Sequence, residues 1–206
     1  YGSGGRHIAA LLSEKMGVPC YDSKFLPKEA ERHGISQEII NEFKGKTSLL
    51  YAIGVMMSEE SQDKKRLTIP EKMFHAQKET VKRLAQEGPC IFVGRCADYI
   101  LDQEAYPTLN VFIHADMPHR ISRVLERYGD TEVDVRKRLE RKDRNRKTYY
   151  RYYTDREWGK YTNYQINLDS GYLGVDQCVR IIVDTVRAMD RGNDTAEQKT
   201  DEKNKA

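Results

Sequence analysis

Short runs of consecutive apolar residues recur along the chain, each bounded by Gly, Pro or Asn. Such runs are typical of strands that are buried on both faces of a parallel sheet. They cover residues 90–93, 111–113 and, more weakly, 166–168, and a further strand-like piece covers residues 18–22. The pattern predicts a sheet of parallel strands.

Segments with a helical spacing of apolar residues separate the predicted strands. They cover residues 8–16, 97–101, 118–128 and 175–189. Gly17 follows the first of them and suits a helix C-cap. Between residues 26 and 87 the pattern is helical and polar, and its longest helix opens at Pro70, a good first-turn residue. Alternating strands and helices predict one α/β domain with a βαβ sheet.

The chain opens on a glycine-rich loop that runs directly into the first predicted helix. The loop reads Tyr1-Gly2-Ser3-Gly4-Gly5-Arg6. Glycines let the backbone curl so that its amides meet an anion, and the helix adds the positive end of its dipole. This geometry suits a triphosphate, although a glycine-rich terminus is also typical of a flexible lead-in. Such a loop normally follows a strand, so we expect the first strand of the sheet to be missing from this sequence.

The loop departs from the pattern GxxxxGK[ST] of phosphate-binding loops. Arg6 stands in place of the lysine if Gly5 is the last glycine, and His7 then replaces the hydroxyl that binds magnesium. In the other register Gly5 replaces the lysine. The Arg6 guanidinium can still stabilise charge on a phosphoryl group, and we expect Mg²⁺ to be held chiefly by the nucleotide, water and a carboxylate.

Polar residues follow two of the predicted strands. Asp22 and Ser23 end the first strand, with Lys28 one or two helical turns further on, and Gly94-Arg95 ends the next. Open α/β sheets bind ligands at this edge, so Arg95 is a candidate anion ligand. Asp22 is equally suited to capping a helix. Arg120 and Arg123, one turn apart on the helix after residues 111–113, are interpreted as ordinary solvated residues.

Composition narrows the class of protein. With 206 residues and 38% hydrophobic content, the chain can bury one good core. It has no apolar stretch of about 18 residues and no leader, so we expect a cytoplasmic protein without a membrane partner. Four separated cysteines predict reduced thiols and no zinc site. The segment 191–206 has almost no apolar residues and is predicted to be a disordered tail.

The net charge of +3 is too small for the whole protein to attract nucleic acid electrostatically. One segment is nevertheless strongly basic and rich in aromatic residues. Residues 136–160 contain eleven Lys or Arg residues and four Asp or Glu. Its aromatic residues are Tyr149, Tyr150, Tyr152, Tyr153 and Trp158. The guanidiniums of the run 141–147 could close over phosphates, but a solvated charged helix and an RNA-binding arm have the same composition.

Several strings together resemble the cytidylate kinase-like family of P-loop kinases, over nearly all of residues 1–190. They are YGSGGRHIA, VPCYDS, IFVGRCADYIL, DRNR, YYRYYTDREWG and NLDS. The lid of cytidylate kinases has the same DRNR string that is found here at 143–146, and their LDSG-like motif parallels residues 21–23. The resemblance implies a three-layer P-loop NTPase fold, a helical acceptor-binding insertion at 27–88 and a mobile lid at 137–162.

The resemblance also implies a reaction, namely transfer of the γ-phosphoryl group of ATP to CMP or dCMP with Mg²⁺. The implied ATP-binding residues are Gly2, Ser3, Gly4, Gly5, Arg6, His7, Arg141 and Arg144. The implied acceptor-binding residues are Ser23, Lys28, Arg95, Asp143 and Arg146, where Lys28 replaces an arginine of cytidylate kinases. The implied catalytic residues are Arg6, Asp22, Arg144 and Arg146, with Asp22 beside the reacting phosphates and available to Mg²⁺.

Two other classes of protein stay open at this stage. The altered glycine loop suits a nucleotide-binding regulatory module that does not catalyse transfer. The segment 136–160 suits an RNA-binding protein, whose affinity would fall steeply with salt. Small-molecule nucleotides are the partners that the kinase interpretation predicts.

Overall fold

The computed structural model describes residues 1–22, 69–128 and 134–203. The helices are α1 (Gly5–Met16), α2 (Ile69–Glu87), α3 (Ala97–Gln103), α4 (Met117–Tyr128), α5 (Val135–Thr154) and α6 (Val175–Lys203), with a 3-10 turn at Tyr161–Asn163. The strands are β1 (Cys20–Tyr21), β2 (Ile91–Phe92), β3 (Val111–His114) and β4 (Ile166–Asp169). Short strands therefore alternate with longer helices, as the apolar pattern predicts.

The strands pair in parallel, which confirms the predicted direction. Cys20 is opposite Ile91 in the β1–β2 pair. In the β3–β4 pair the register runs from Val111 opposite Ile166 to His114 opposite Asp169. Within the described ranges these are two separate two-stranded sheets, and α1 contacts β1, β2 and β3. One helix thus covers strands of both sheets.

The largest apolar core lies between α1, α6 and the β3–β4 sheet. Its fully buried members are Ile8, Leu12, Leu168, Cys178, Val179, Ile182 and Val183. The spacing of Cys178, Val179, Ile182 and Val183 places them on one face of α6, as a period of about 3.6 residues requires. This core fixes α1, and with α1 the glycine loop that precedes it.

Two smaller cores support the rest of the described chain. Val81 of α2 packs against Ile100 and neighbouring residues of α3, with Phe92 of β2 alongside. Val124 of α4 packs against Leu139 of α5, which is fully buried, and Tyr1 lies against this cluster. The second of these cores brings α5 next to the start of the chain.

The predictions for two helix ends are confirmed. Gly17 ends α1 in the left-handed conformation with φ of 68°, and its amide donates to the carbonyl of Ser13. The long helix of the polar region begins at Ile69, directly before Pro70. All four cysteines are free thiols, and Cys96 and Cys178 are buried. No helix in the described ranges has the length and apolar character to cross a membrane.

Helix α6 continues to Lys203, through most of the segment 191–206 for which we predicted a disordered end. Ala, Glu, Gln and Lys favour helix, so extension from an already formed helix costs little. Most of the insertion predicted at 27–88 lies outside the described residues, and the division into insertion and lid stays a prediction.

Candidate functional site

The glycine loop adopts a conformation that depends on glycine. Gly2 has a φ of 85° and Gly4 a φ of 81°, both in the left-handed region that L-residues with side chains rarely adopt. Gly4 is the N-cap residue of α1, its site has no side-chain cap, and the first turn of α1 has no acidic residue. The positive end of the helix dipole is therefore not compensated locally.

Three side chains hold the carbonyl groups of this loop. Arg120 Nε donates to the carbonyl of Tyr1 at 2.7 Å, and Arg123 Nη1 donates to that of Gly2 at 2.9 Å. The Ser170 hydroxyl donates to the carbonyl of Ser3 at 2.6 Å. No peptide bond in the described chain is cis, so each amide that follows one of these carbonyls points to the opposite side.

The amides of the loop remain available for an anion. Those of Gly2, Ser3, Gly4 and Gly5 donate to no other group in the part of the chain that the structure describes. Backbone amides that lack a partner are strong donors, and several of them at the start of a helix form a recurrent phosphate-binding arrangement. The loop can therefore bind phosphate oxygens with main-chain groups alone.

A cation and a carboxylate lie beside the loop. Arg6 Nε is 3.1 Å from Asp22 Oδ2, which joins the first turn of α1 to the end of β1. His7 follows on α1, and its pKa is lowered by burial and by the positive charges of Arg127 and Arg123. His7 is therefore neutral at pH 7, and Arg6 is the charged group of this turn.

A cluster of arginines surrounds Asp143 of α5. Arg120 donates to Asp143 Oδ2, and Arg146 Nη1 lies 3.7 Å from Asp143 Oδ1. Burial lowers the pKa of Arg146 most, Asp143 opposes that shift, and the positive charges of Arg120 and Arg95 add to it. Two guanidiniums thus share one carboxylate while a third, that of Arg95, acts on Arg146, and the excess of positive charge favours binding of an anion.

Arg95 lies on a strained turn at the end of β2. Gly94, Arg95 and Cys96 have φ values of 70°, 66° and 55°, three successive left-handed residues of which two have side chains. Each such residue costs on the order of 1–2 kcal/mol, and strain of this kind is concentrated at binding sites. The turn is therefore a feature that the surrounding structure must maintain.

Asp22 and Arg95 line the same cleft, although they are far apart in sequence. The cleft is small and partly open to solvent, and it lies at the carboxyl ends of β1 and β2. Its other lining residues are Tyr21, Thr80, Val81, Leu84, Phe92 and Gly94. The structure therefore brings together at one sheet edge two of the polar groups that we singled out at strand ends.

Other predicted site residues are placed differently. Arg141 and Arg144 of α5 are exposed. Each residue turns a helix by about 100°, so Arg144 lies well away from the face of its neighbour Asp143. Ser23 and Lys28 lie outside the described residues. The roles of these four residues stay predictions.

Arg120 and Arg123 were misjudged from the sequence. The interpretation as solvated residues is wrong, because the Arg120 side chain is only 14% exposed and both residues bind the glycine loop. Ser170, which follows β4, was not singled out at all. All three follow the carboxyl end of β3 or β4 in the chain. The strand-end rule that selected Asp22 and Arg95 would have found Ser170, which directly follows β4, whereas Arg120 and Arg123 lie within α4 and depend on how that helix packs.

Three of the four tyrosines of the basic segment pack against other helices, and Tyr152 is exposed. Tyr153 stacks on Phe74 of α2 with ring centroids 4.0 Å apart, and Tyr149 is 4.8 Å from Tyr153. Tyr150 is 5% exposed, and its hydroxyl donates to Asp98 at 2.6 Å. Rings engaged in this way are not free to stack on bases, so the structure removes the main support for an RNA-binding arm.

The possible metal ligands near the glycine loop are few. Within the described ranges, no group of three His, Cys, Asp or Glu side chains is placed to hold a metal ion. Asp22 supplies the hard oxygen ligand that Mg²⁺ prefers, and it lies beside the loop through its pair with Arg6. These residues fit an ion that a nucleotide brings and one carboxylate helps to hold.

These features define a class: a mixed α/β protein with parallel strands, whose glycine loop, strand-end carboxylate and arginine cluster are a candidate site for phosphate groups. Comparison with known proteins identifies the family. The chain belongs to the cytidylate kinase-like family, whose model matches residues 1–172, and the resemblance noted in the sequence is confirmed. Membership indicates a nucleoside monophosphate kinase-like function, with small-molecule nucleotides as partners.

A solved structure supports the fold. The crystal structure of an uncharacterized protein from Eubacterium ventriosum is similar to this chain, with a TM-score of 0.66 and 23% sequence identity. The similarity covers 91% of this chain and 93% of that one. No curated protein matches the chain. At this identity the likeness concerns the fold alone.

Proposed function

We propose that this protein is a P-loop kinase that transfers the γ-phosphoryl group of ATP to CMP or dCMP, with Mg²⁺. The observation that carries the proposal is the glycine loop. Side chains of Arg120, Arg123 and Ser170 hold its carbonyls, which leaves the amides of residues 2–5 for phosphate oxygens. Family membership supplies the reaction class.

The donor phosphates would bind at the loop. Amides of Gly2, Ser3, Gly4 and Gly5 would donate to phosphate oxygens, and Arg6 would neutralise charge that develops on the transferred group. Mg²⁺ brought by the nucleotide would supply positive charge against the donor phosphates. Asp22 would orient the ion or its water, since its carboxylate lies beside Arg6. His7, Arg141 and Arg144 complete the proposed ATP-binding set.

The acceptor phosphate would bind near Arg95 and Arg146. Both guanidiniums lie close enough for the charge of Arg95 to lower the pKa of Arg146, so an anion between them relieves repulsion. Asp143 accepts a hydrogen bond from Arg120 and forms an ion pair with Arg146 at 3.7 Å, and so it orients both guanidiniums. Ser23 and Lys28 are the remaining proposed acceptor-binding residues, on the family resemblance alone.

Transfer needs positioning more than a strong base, because the acceptor phosphate is already anionic. An acceptor oxygen forms a bond to the γ-phosphorus while the bond from that phosphorus to the β,γ-bridging oxygen breaks. The bridging oxygen keeps the electron pair and leaves as part of ADP. The proposed catalytic residues Arg6, Asp22, Arg144 and Arg146 would neutralise charge on the equatorial oxygens, and closure over the site would exclude water.

An assay of ADP release tests the proposal directly. ATP and Mg²⁺ are supplied with CMP, dCMP, UMP, AMP or GMP in turn, on protein that includes any residues preceding Tyr1. We expect CMP or dCMP to raise the rate at least about tenfold above that with ATP alone. If ATP binds but no acceptor gives ADP, the kinase assignment is rejected and the protein is a non-catalytic nucleotide-binding module. The replacement of the loop lysine is also compatible with such a module.

A further inference from the structure

Gln77 of α2 is a buried amide whose two ends have different partners. Its side chain is 4% exposed. The Nε2 group donates to the carbonyl of Arg95 at 2.7 Å, and Oε1 accepts from the Tyr149 hydroxyl at 3.1 Å. Buried amides are costly unless both ends are satisfied, so this residue is fixed in one orientation.

The first contact acts on the strained turn. Arg95 and Cys96 have positive φ values, which L-residues avoid unless other contacts hold them. A hydrogen bond to the Arg95 carbonyl fixes the plane of the Arg95–Cys96 peptide. Because that plane limits the backbone conformation of Arg95, it also limits where the guanidinium can reach.

The second contact acts on helix α5. Tyr149 lies on the same helix as Asp143 and Arg146, less than two turns further on. The stack of Tyr153 on Phe74 holds this part of α5 against α2 independently of Gln77. Gln77 therefore joins the turn of Arg95 to the helix that carries Arg146, and these two guanidiniums lie within range of each other's charge.

We propose that Gln77 is a positioning residue. It fixes Arg95 relative to Arg146 of α5, so that both guanidiniums reach one acceptor phosphate. The inference rests on the proposed function. It assigns to α2 a role in acceptor affinity without contact with the nucleotide. Loss of Gln77 should therefore weaken acceptor binding and leave the donor side, formed by the glycine loop, unaffected.

Steady-state kinetics of Gln77→Leu tests this, with Gln86→Leu as the matched control. Gln86 is exposed on the same helix. We expect KM for CMP to rise about tenfold in Gln77→Leu, because the buried hydrogen bonds of Gln77 are lost. KM for ATP should change less than about twofold. Gln86→Leu should change neither. Equal rises in both KM values, or no rise, would overturn the proposal.

A second variant separates coupling from general damage. Tyr149→Phe removes only the bond to Oε1, so we expect KM for CMP to rise about threefold. The double variant with Gln77→Leu should be no worse than Gln77→Leu alone, because the two residues act through one contact. Additive effects would contradict the coupling. If Gln77→Leu does not fold, the proposal is judged on Tyr149→Phe, by the rise in KM for CMP relative to KM for ATP.

Hydrogen exchange provides a readout that does not need turnover. The amide of Ala97 donates to the carbonyl of Gly94 at 3.3 Å and reports on the strained turn. It should exchange faster in Gln77→Leu, and its exchange rate should be unchanged in Gln86→Leu. If the unmutated protein transfers no phosphoryl group, the proposed function fails, and exchange alone judges Gln77. Unchanged exchange at Ala97 would reject its positioning role.

Discussion

Arg6 Nε lies 3.1 Å from Asp22 Oδ2, and this pair joins the glycine loop to the carboxyl end of β1. The two residues come from separate local patterns, a helix start and a strand end. The Arg6 side chain is 53% exposed, and exposed ion pairs contribute at most about 1 kcal/mol to stability. The pair therefore adds little to folding stability, which suits the role in ligand binding that we propose for both residues.

Replacement of Arg6 should separate activity from stability. In Arg6→Ala we expect kcat to fall about 100-fold or more, because a group that stabilises transferring charge is lost. The free energy of unfolding should change by less than about 1 kcal/mol. Urea denaturation and the ADP assay measure the two quantities. Lys15→Ala, exposed in the last turn of the same helix, is the control, and near-normal turnover in Arg6→Ala would remove Arg6 from the mechanism.

Replacement of either arginine at the proposed acceptor site should impair use of CMP. Arg95→Ala and Arg146→Ala should each lower kcat/KM for CMP by two or more orders of magnitude, as loss of a phosphate-stabilising group commonly does. Lys147→Ala, exposed on α5 next to Arg146, should lower it less than about threefold. A similar loss in all three variants would indicate a general effect of charge rather than a specific site.

The local parts of this architecture could be predicted from the sequence. Apolar runs and helical spacing depend on neighbouring residues, so the strands near 90–93 and 111–113 and the cap at Gly17 follow directly. Asp22 and Arg95 were found because parallel strands align their carboxyl ends at one edge. The rule needs only the position of each residue at a strand end.

The remaining contacts depend on which helices pack together. Arg120 and Arg123 reach back more than 100 residues to the loop, and Gln77 meets Tyr149, which lies 72 residues further along the chain. Helical periodicity places a residue on a face but does not identify the element opposite. For the same reason, composition left open a binding surface for the tyrosines of 136–160, whereas Tyr149, Tyr150 and Tyr153 contact α2 or α3.

Glycine substitutions test the shape of the loop. Gly2→Ala and Gly174→Ala both place a side chain at positive φ, with φ values of 85° and 75°. A Cβ at Gly2 would lie 3.0 Å from the Arg120 carbonyl, whereas Gly174 has nothing within 4 Å. We expect Gly174→Ala to lower the free energy of unfolding by about 1–2 kcal/mol and Gly2→Ala by about 1–3 kcal/mol more. Equal losses in urea denaturation would show that the loop tolerates the added atom.

Alkaline pH should destabilise the protein through its buried hydroxyl and thiol groups. Burial and the hydrogen bond to Asp98 raise the pKa of Tyr150 above its usual 10.0. Burial raises the pKa of Tyr164 and of Cys96, each to about 12. In the unfolded chain these groups ionise at their ordinary pKa, 9.0 for the thiol and 10.0 for the tyrosines.

The sign of the effect follows from which state keeps its protons. Below pH 9 both states are protonated at Cys96, Tyr150 and Tyr164, and their contribution is fully present. As pH rises from 9 towards 12, only the unfolded state loses protons, so the free energy of unfolding falls. Each group lowers the free energy of unfolding by up to about 1.4 kcal/mol per pH unit once its unfolded form is ionised.

Tyr150→Phe should make this pH dependence shallower between pH 10 and 11, although it costs about 1–3 kcal/mol at pH 7 by leaving Asp98 without its donor. Tyr161→Phe is the matched control, because that ring is 73% exposed and its removal should leave both values unchanged. Urea denaturation at pH 7, 9, 10 and 11 measures the slopes. A slope in Tyr150→Phe equal to that of the unmutated protein would contradict the assignment of Tyr150 as a buried, neutral hydroxyl whose ionisation accompanies unfolding.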